Sequence, residues 1–256
     1  MTPMVRNILI LNVVAFVAFN VLFGGGDKFA LYDFNSPNFQ PYQLLTHMFM
    51  HGNGMHLFSN MFSLFIFGPM LEARWGGQRF LTFYLITGLG ASLLFTGVRA
   101  YEFNALRQDS EQYISAPTPI NFLHYQDKHL QGRYEAAAEA FRKEPENPGF
   151  IKGTVELVKD AFTEITTKSS MVGASGAVFG ILMAFGMLFP NTELMLLFFP
   201  FPIKAKYFVM LYGAFELYAG IQRVPGDNVA HYAHLGGMLF AYILIKVWER
   251  NRTHFY

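Results

Sequence analysis

Met171 to Phe189 reads MVGASGAVFGILMAFGMLF, an apolar run without one Lys, Arg, Asp or Glu. Its length approaches the ~20 residues an α-helix needs to cross the hydrocarbon core of a bilayer. Near its start stand Gly173, Ala174, Ser175 and Gly176, so the same stretch places a hydroxyl among small residues just inside an apolar span. Three more runs are equally free of charge: Asn7 to Phe23, Met55 to Leu71 and Phe80 to Val98. Two further spans carry polar groups, Tyr207 to Gln222 with Glu216 and Val229 to Ile245 with His231 and His234. The expected architecture is all-α and polytopic: six transmembrane helices in one bundle, residues 1–256 forming a single membrane domain. Six crossings return both termini to one side.

Composition agrees with that architecture. Hydrophobic residues make up 52% of the 256-residue chain and charged residues only 14%, against about a quarter charged in an average soluble domain. There is no cysteine, so disulfides, thiolate chemistry and cysteine metal sites are excluded. A net charge of +1 does not fit an electrostatic nucleic-acid binder. Arg6 ahead of the first span resembles a signal peptide, but the apolar run is longer than an h-region and no A-x-A-like site follows, which predicts a retained helix.

With the N-terminus in the cytoplasm, the short inner segments hold Arg6, Arg74, Arg79, Lys204, Lys206, Lys246, Arg250 and Arg252, whereas the short outer loops hold only Lys28 and Arg223. That is the positive-inside arrangement. The remaining basic residues fall in residues 99–170, a segment long enough to escape the rule and expected to be an extramembrane, partly helical insert between the third and fourth spans. Within it Ile151, Val155, Val158, Phe162 and Ile165 make one apolar helical stripe, suited to lying on the outer leaflet or capping the bundle.

Polar side chains inside a bilayer are costly and tend to be functional. Counted from the outer ends of the inferred spans, Asn60 lies five residues in, Ser175 four and His234 five, roughly 6 to 8 Å deep at the helical rise. Gly176, Gly180 and Ala184 form a small-residue stripe beside Ser175, while His234, Gly237 and Ala241 share a face of the last span. Small faces let helices approach closely, and a serine needs an imidazole within ~2.6 to 3.2 Å to become a nucleophile. His56 and Asn60, four apart, project from one face of the second span. With the backbone N–H of Ser175 they can supply donors to an oxyanion. The bland alternatives are helix packing for the glycines and ordinary interhelical hydrogen bonds for Asn60 and the histidines.

These patterns, His56-Leu57-Phe58-Ser59-Asn60, Gly173-Ala174-Ser175-Gly176 and Ala233-His234-Leu235-Gly236-Gly237, resemble the three signature sites of the rhomboid proteases, in the family's order. Glu72, Arg74, Trp75 and Gly76, followed by Phe80 to Gly88, resemble the family's segment joining the second and third helices. The resemblance implies an intramembrane serine endopeptidase without cofactor, its substrates being the transmembrane segments of other proteins in the bilayer. It implies Ser175 as nucleophile, His234 as base and then acid, and His56 with Asn60 at the oxyanion. Phe179 would pack on the imidazole, and the dyad would have no acid. It further implies a multi-pass protein of the bacterial inner membrane with both termini cytoplasmic. The insert departs from the bacterial pattern. Glu216 has two readings, a hydrogen bond to a neighbouring helix or a reach to the outer interface.

Three rival readings have sequence features against them. A catalytically silent rhomboid-like protein would bind membrane helices without cutting them, but such relatives generally lack the serine or the histidine. A metal-dependent hydrolase or carrier built on His47, His51 and His56 lacks an H-E-x-x-H motif and a nearby carboxylate, so no metal is expected. A transporter would show internal repeats with paired broken helices.

Overall fold

In the computed structural model, which describes residues 1–22, 25–196, 199–222 and 229–250, nearly all regular structure is helical. Phe23, Arg223 and Arg252, used above for the spans and their orientation, lie outside the described residues. The chain divides into two compact units, one comprising Met1–Leu31, Gln40–Thr96 and Met171–Tyr256, the other Tyr32–Phe39 and Gly97–Ser170.

The first unit contains α1 (Pro3–Phe16, prolonged by a π-helical turn over Val17–Leu22), α2 (Gly54–Trp75) and the first half of α3 (Gly77–Ser115). After the second unit's helices α4 (Pro119–His129), α5 (Glu135–Lys143) and α6 (Pro148–Lys168), it resumes with α7 (Ser175–Leu188), α8 (Ala205–Gln222) and α9 (His231–Arg250). A short hairpin, β1 (Glu193–Leu196) with β2 (Phe199–Lys204), joins α7 to α8.

Contacts fix the helix directions. Glu72, near the end of α2, accepts hydrogen bonds from the backbone N–H groups of Met4 (2.9 Å) and Val5 (2.8 Å) and from the Thr2 hydroxyl. A buried carboxylate thus satisfies the free N–H groups of the first turn of α1 and sits at the positive end of its dipole. At the same end Trp75 packs on Phe83 and Trp248, and Arg74 pairs with Glu249 at 3.4 Å. Helices α2, α7 and α9 therefore run one way and α1, α3 and α8 the other. The starts of α2, α7 and α9 gather at the opposite end. Val5, Ile8, Leu64, Leu71, Phe80, Phe83, Tyr84 and Ile181 form the core between them.

The outside of this unit is apolar. Phe58, Phe62 and Phe65 on one face of α2 are 61%, 51% and 52% exposed, and α8 presents Met210, Leu211 and Phe215 in the same way. Exposed apolar faces of this extent mark a membrane or partner surface. Among the described residues three helical stretches, Pro3–Asn20, Gly54–Trp75 and Gly77–Ser115, are long and apolar enough to cross a membrane, with Ser175–Leu188 a shorter apolar helix.

That last helix differs from the sequence reading. Met171 to Ala174 is not helical: Gly173 has φ +126°, a region closed to helices and favourable only to glycine, and its N–H bonds to the His47 carbonyl at 2.9 Å. Ser175 is thus the first residue of its helix, not the fifth of a longer one, and equal depth no longer carries the alignment of the site. Direct contacts do.

The second unit has its own core. Leu106, Tyr113, Phe122, Tyr125, Phe141 and Val158 are buried together, with Ile151, Val155, Phe162 and Ile165 packed against them. The stripe on α6 accordingly faces this core and is not available to lie on a leaflet or cap a bundle. Tyr113 and Thr154 share a buried hydrogen bond of 2.7 Å.

Candidate active site

Each polar residue of the site is held by a local device. Asn53 caps α2, its side chain accepting from the His56 N–H at 2.8 Å, which sets His56 in the first turn. Gly173 lets the chain turn sharply before α7 and lie against the His56 ring: a Cβ added there would fall 2.7 Å from both Cε1 and Nε2 and 3.6 Å from Ser175 Oγ. The imidazole of His56 and the Ser175 hydroxyl thus flank the same α-carbon. Ala174, the residue before α7, offers no side-chain cap, which leaves the first N–H groups of the helix, Ser175 among them, as donors at its positive end.

His234 enters from α9. Gly237, one turn later, is so close to α7 that a Cβ on it would lie 1.8 Å from the Gly176 carbonyl oxygen, and a Cβ on Gly176 would lie 2.4 Å from Ala91 Cβ. The stripe beside Ser175 is divided between two neighbours. Gly176 meets α9 and α3, while a Cβ added at Gly180 would fall 2.7 Å from the Thr87 Cβ of α3. The His234 ring lies flat on Phe179, centroids 4.0 Å apart and planes at 7°. Phe179 is one turn after Ser175 on the same helix. No hydrogen bond joins Ser175 Oγ to either imidazole among the described residues. A cavity of about 10 Å³, water-sized, is lined by Ser175, Gly173, Gly176, Ala177 and Ala233 among others.

Asn60 is buried, and its Nδ2 has no hydrogen-bond partner among the described residues. An orphaned buried donor of this kind is free to meet an acceptor brought to the site. His51, also buried and with neither ring nitrogen hydrogen-bonded among the described residues, packs edge-on to His56 at 5.1 Å.

The structure also answers the question of Glu216. Its Oε2 accepts from Nδ1 of His234 at 2.8 Å and from Nδ1 of His231 at 2.6 Å, all three side chains being buried. Of the two readings of Glu216, the hydrogen bond to a neighbouring helix is the one observed, and the sequence alone does not name its partners. Ligand atoms of Glu216, His231 and His234 lie within 4.8 Å of one another, a donor set able to hold a divalent cation. Here the carboxylate oxygen is engaged by two imidazoles instead.

Burial around the loop before α2 has a pH consequence. His47 and His51 are each 2% exposed, and desolvation lowers both pKa values from 6.5 to about 4, with His56 adding repulsion at His51. The unfolded chain therefore binds more protons than the folded one between these values, and stability falls as pH drops through this window. Each histidine contributes about 3 kcal/mol to that loss when complete. The unfolding temperature in detergent is expected to fall steadily from about pH 6.5 to about pH 4.5; a flat profile would show that these rings are not held neutral.

Comparison with known proteins places these features. The Rhomboid domain matches residues 38–104 and 149–250. Over 211 residues the chain is 28% identical to RHOMBOID-like protein 12, mitochondrial, of Arabidopsis thaliana, covering 82% of this chain and 46% of that one. It is 26% identical over 219 residues to the uncharacterized rhomboid protein P4H10.10, mitochondrial, of Schizosaccharomyces pombe, covering 82% and 52%. A shorter match, 37% over 70 residues, 27% of this chain and 25% of the other, is to Rhomboid protease AarA of Providencia stuartii. The chain belongs to the rhomboid family and is a multi-pass integral membrane protein. It spans about half the length of the two relatives it matches over most of its own length.

Proposed function

We propose that the protein is an intramembrane serine endopeptidase, cutting peptide bonds in or near the transmembrane segments of other membrane proteins. All six helices of the first unit cross the bilayer in this reading, both termini are cytoplasmic, and residues 99–170 form an insert on the outer side. The host membrane is a bacterial inner membrane, although the long matches bear mitochondrial names.

One observation carries the reading: the His234 imidazole stacked on Phe179, one turn beyond Ser175. In the proposed mechanism Nε2 of His234 takes the proton of Ser175 Oγ as the oxygen attacks the scissile carbonyl carbon. The carbonyl oxygen becomes an oxyanion, met by the Ser175 N–H, the His56 ring and Asn60 Nδ2. Its collapse breaks the C–N bond, His234 passes the proton to the departing amine, and an acyl ester remains on Ser175. Water, deprotonated by His234, then attacks the ester; the acid product leaves and Ser175 regains its proton. No cofactor or metal takes part.

The test needs no substrate. A fluorophosphonate added to the detergent-solubilised protein is expected to form one adduct, located by peptide mass spectrometry at Ser175. A folded protein that takes up no probe would instead favour the helix-binding, catalytically silent reading.

A further inference from the structure

We infer that Glu216 acts as the third member of the site, a positioning residue that holds His234 in the tautomer and orientation the reaction needs. This rests on the reading of Ser175 and His234 as the catalytic pair. Glu216 Oε2 accepts from His234 Nδ1 at 2.8 Å, so the proton of the neutral ring resides on Nδ1 and the lone pair on Nε2 is left for the Ser175 hydroxyl. When Nε2 takes that proton the ring becomes cationic beside a fixed negative charge, and the developing imidazolium is stabilised where water is scarce.

Three features favour this role over a simple clasp between helices. Glu216 is 2% exposed inside an apolar helix, where an ionised carboxylate is disfavoured unless its partners are close. Its partners are both imidazoles of α9, and one of them lies on Phe179. The second, His231 at 2.6 Å, holds the carboxylate from the other side and so limits its rotation toward a single aim. Tyr212, one turn before Glu216, packs on Phe179 at 4.9 Å. Four side chains from three helices, Phe179, Tyr212, Glu216 and His231, therefore constrain the one ring.

Glu216→Gln keeps the shape but removes the charge. Cleavage of a transmembrane reporter in proteoliposomes is expected to show kcat lowered about 100-fold or more, with KM within about twofold and the unfolding temperature unchanged. A clasp would not split kcat from KM in this way. Independently of any variant, nitrogen NMR of histidine-labelled wild type should find His234 protonated on Nδ1 in its neutral form. A folded Glu216→Gln protein with kcat within about threefold of wild type overturns the inference, as does an Nε2-protonated His234. If Ser175 of the wild type takes up fluorophosphonate, either result overturns the inference alone. A wild type that neither labels nor cleaves overturns the underlying reading with it.

Discussion

Ser175→Ala and His234→Ala should each lower cleavage of a transmembrane reporter by roughly 10⁴-fold or more, and the double variant should be no worse than either single one. The serine change removes the attacking oxygen outright. The histidine change removes the proposed base, and serine at its own pKa is a weak nucleophile. Because the two act as one unit, their losses do not add. Folding is expected to survive both changes. Ser175 makes no side-chain hydrogen bond among the described residues, and loss of His234 still leaves Glu216 paired with His231 at 2.6 Å. The measurement is the initial rate in proteoliposomes, with unfolding temperature as the check on folding. Cleavage within about tenfold of wild type in either folded variant, or losses that multiply in the double variant, would contradict the proposed dyad.

The candidate site residues are visible in the sequence because they are exceptions. A serine, an asparagine and two histidines stand out where nearly every neighbour is apolar, and Gly173 and Gly237 flag close approach. The alternation of helix directions follows from apolar runs separated by polar segments, all short except residues 99–170. What the sequence did not yield depends on backbone turns or on pairing across helices. Counting residues along Met171 to Phe189 assumed a continuous helix, whereas the positive φ of Gly173 delays its start to Ser175. That conformation is selected by the His47 carbonyl and the His56 ring, both distant in sequence. Periodicity places Gly180 on the same stripe as Gly176 but does not say which neighbour each part of the stripe meets, and a Cβ on Gly180 would come nearest Thr87. Glu216 was visible as a misplaced charge. Its partnership with His234 is a tertiary fact, and the acid-free dyad that the family resemblance implied did not anticipate it. The stripe on α6 could be read as a lipid face or a protein face with equal ease, and burial against Tyr113 and Phe141 decides for the latter.

Gly237→Ala should be the most damaging single methyl that can be added to the first unit. Its Cβ would stand 1.8 Å from the Gly176 carbonyl oxygen and 2.8 Å from the carbonyl carbon. The obstacle is backbone within a helix, so no side-chain rotation relieves it and α9 must move away from α7. Overpacking of this kind costs about 1 to 3 kcal/mol in stability. The functional loss is expected to be larger, because Ser175 and His234 sit on the two helices being separated. A misplacement of about 1 Å in a reacting pair can cost about 100-fold in rate. Gly97→Ala is the matched control: the same methyl in a helix, with nothing within 4 Å of the added Cβ. It should be neutral or more stable by up to about 1 kcal/mol, since alanine is the better helix former. Fluorophosphonate labelling rate and unfolding temperature, measured on both variants, separate the two effects. A Gly237→Ala protein that labels as fast as wild type would mean that the contact of α9 with α7 does not set the distance from His234 to Ser175.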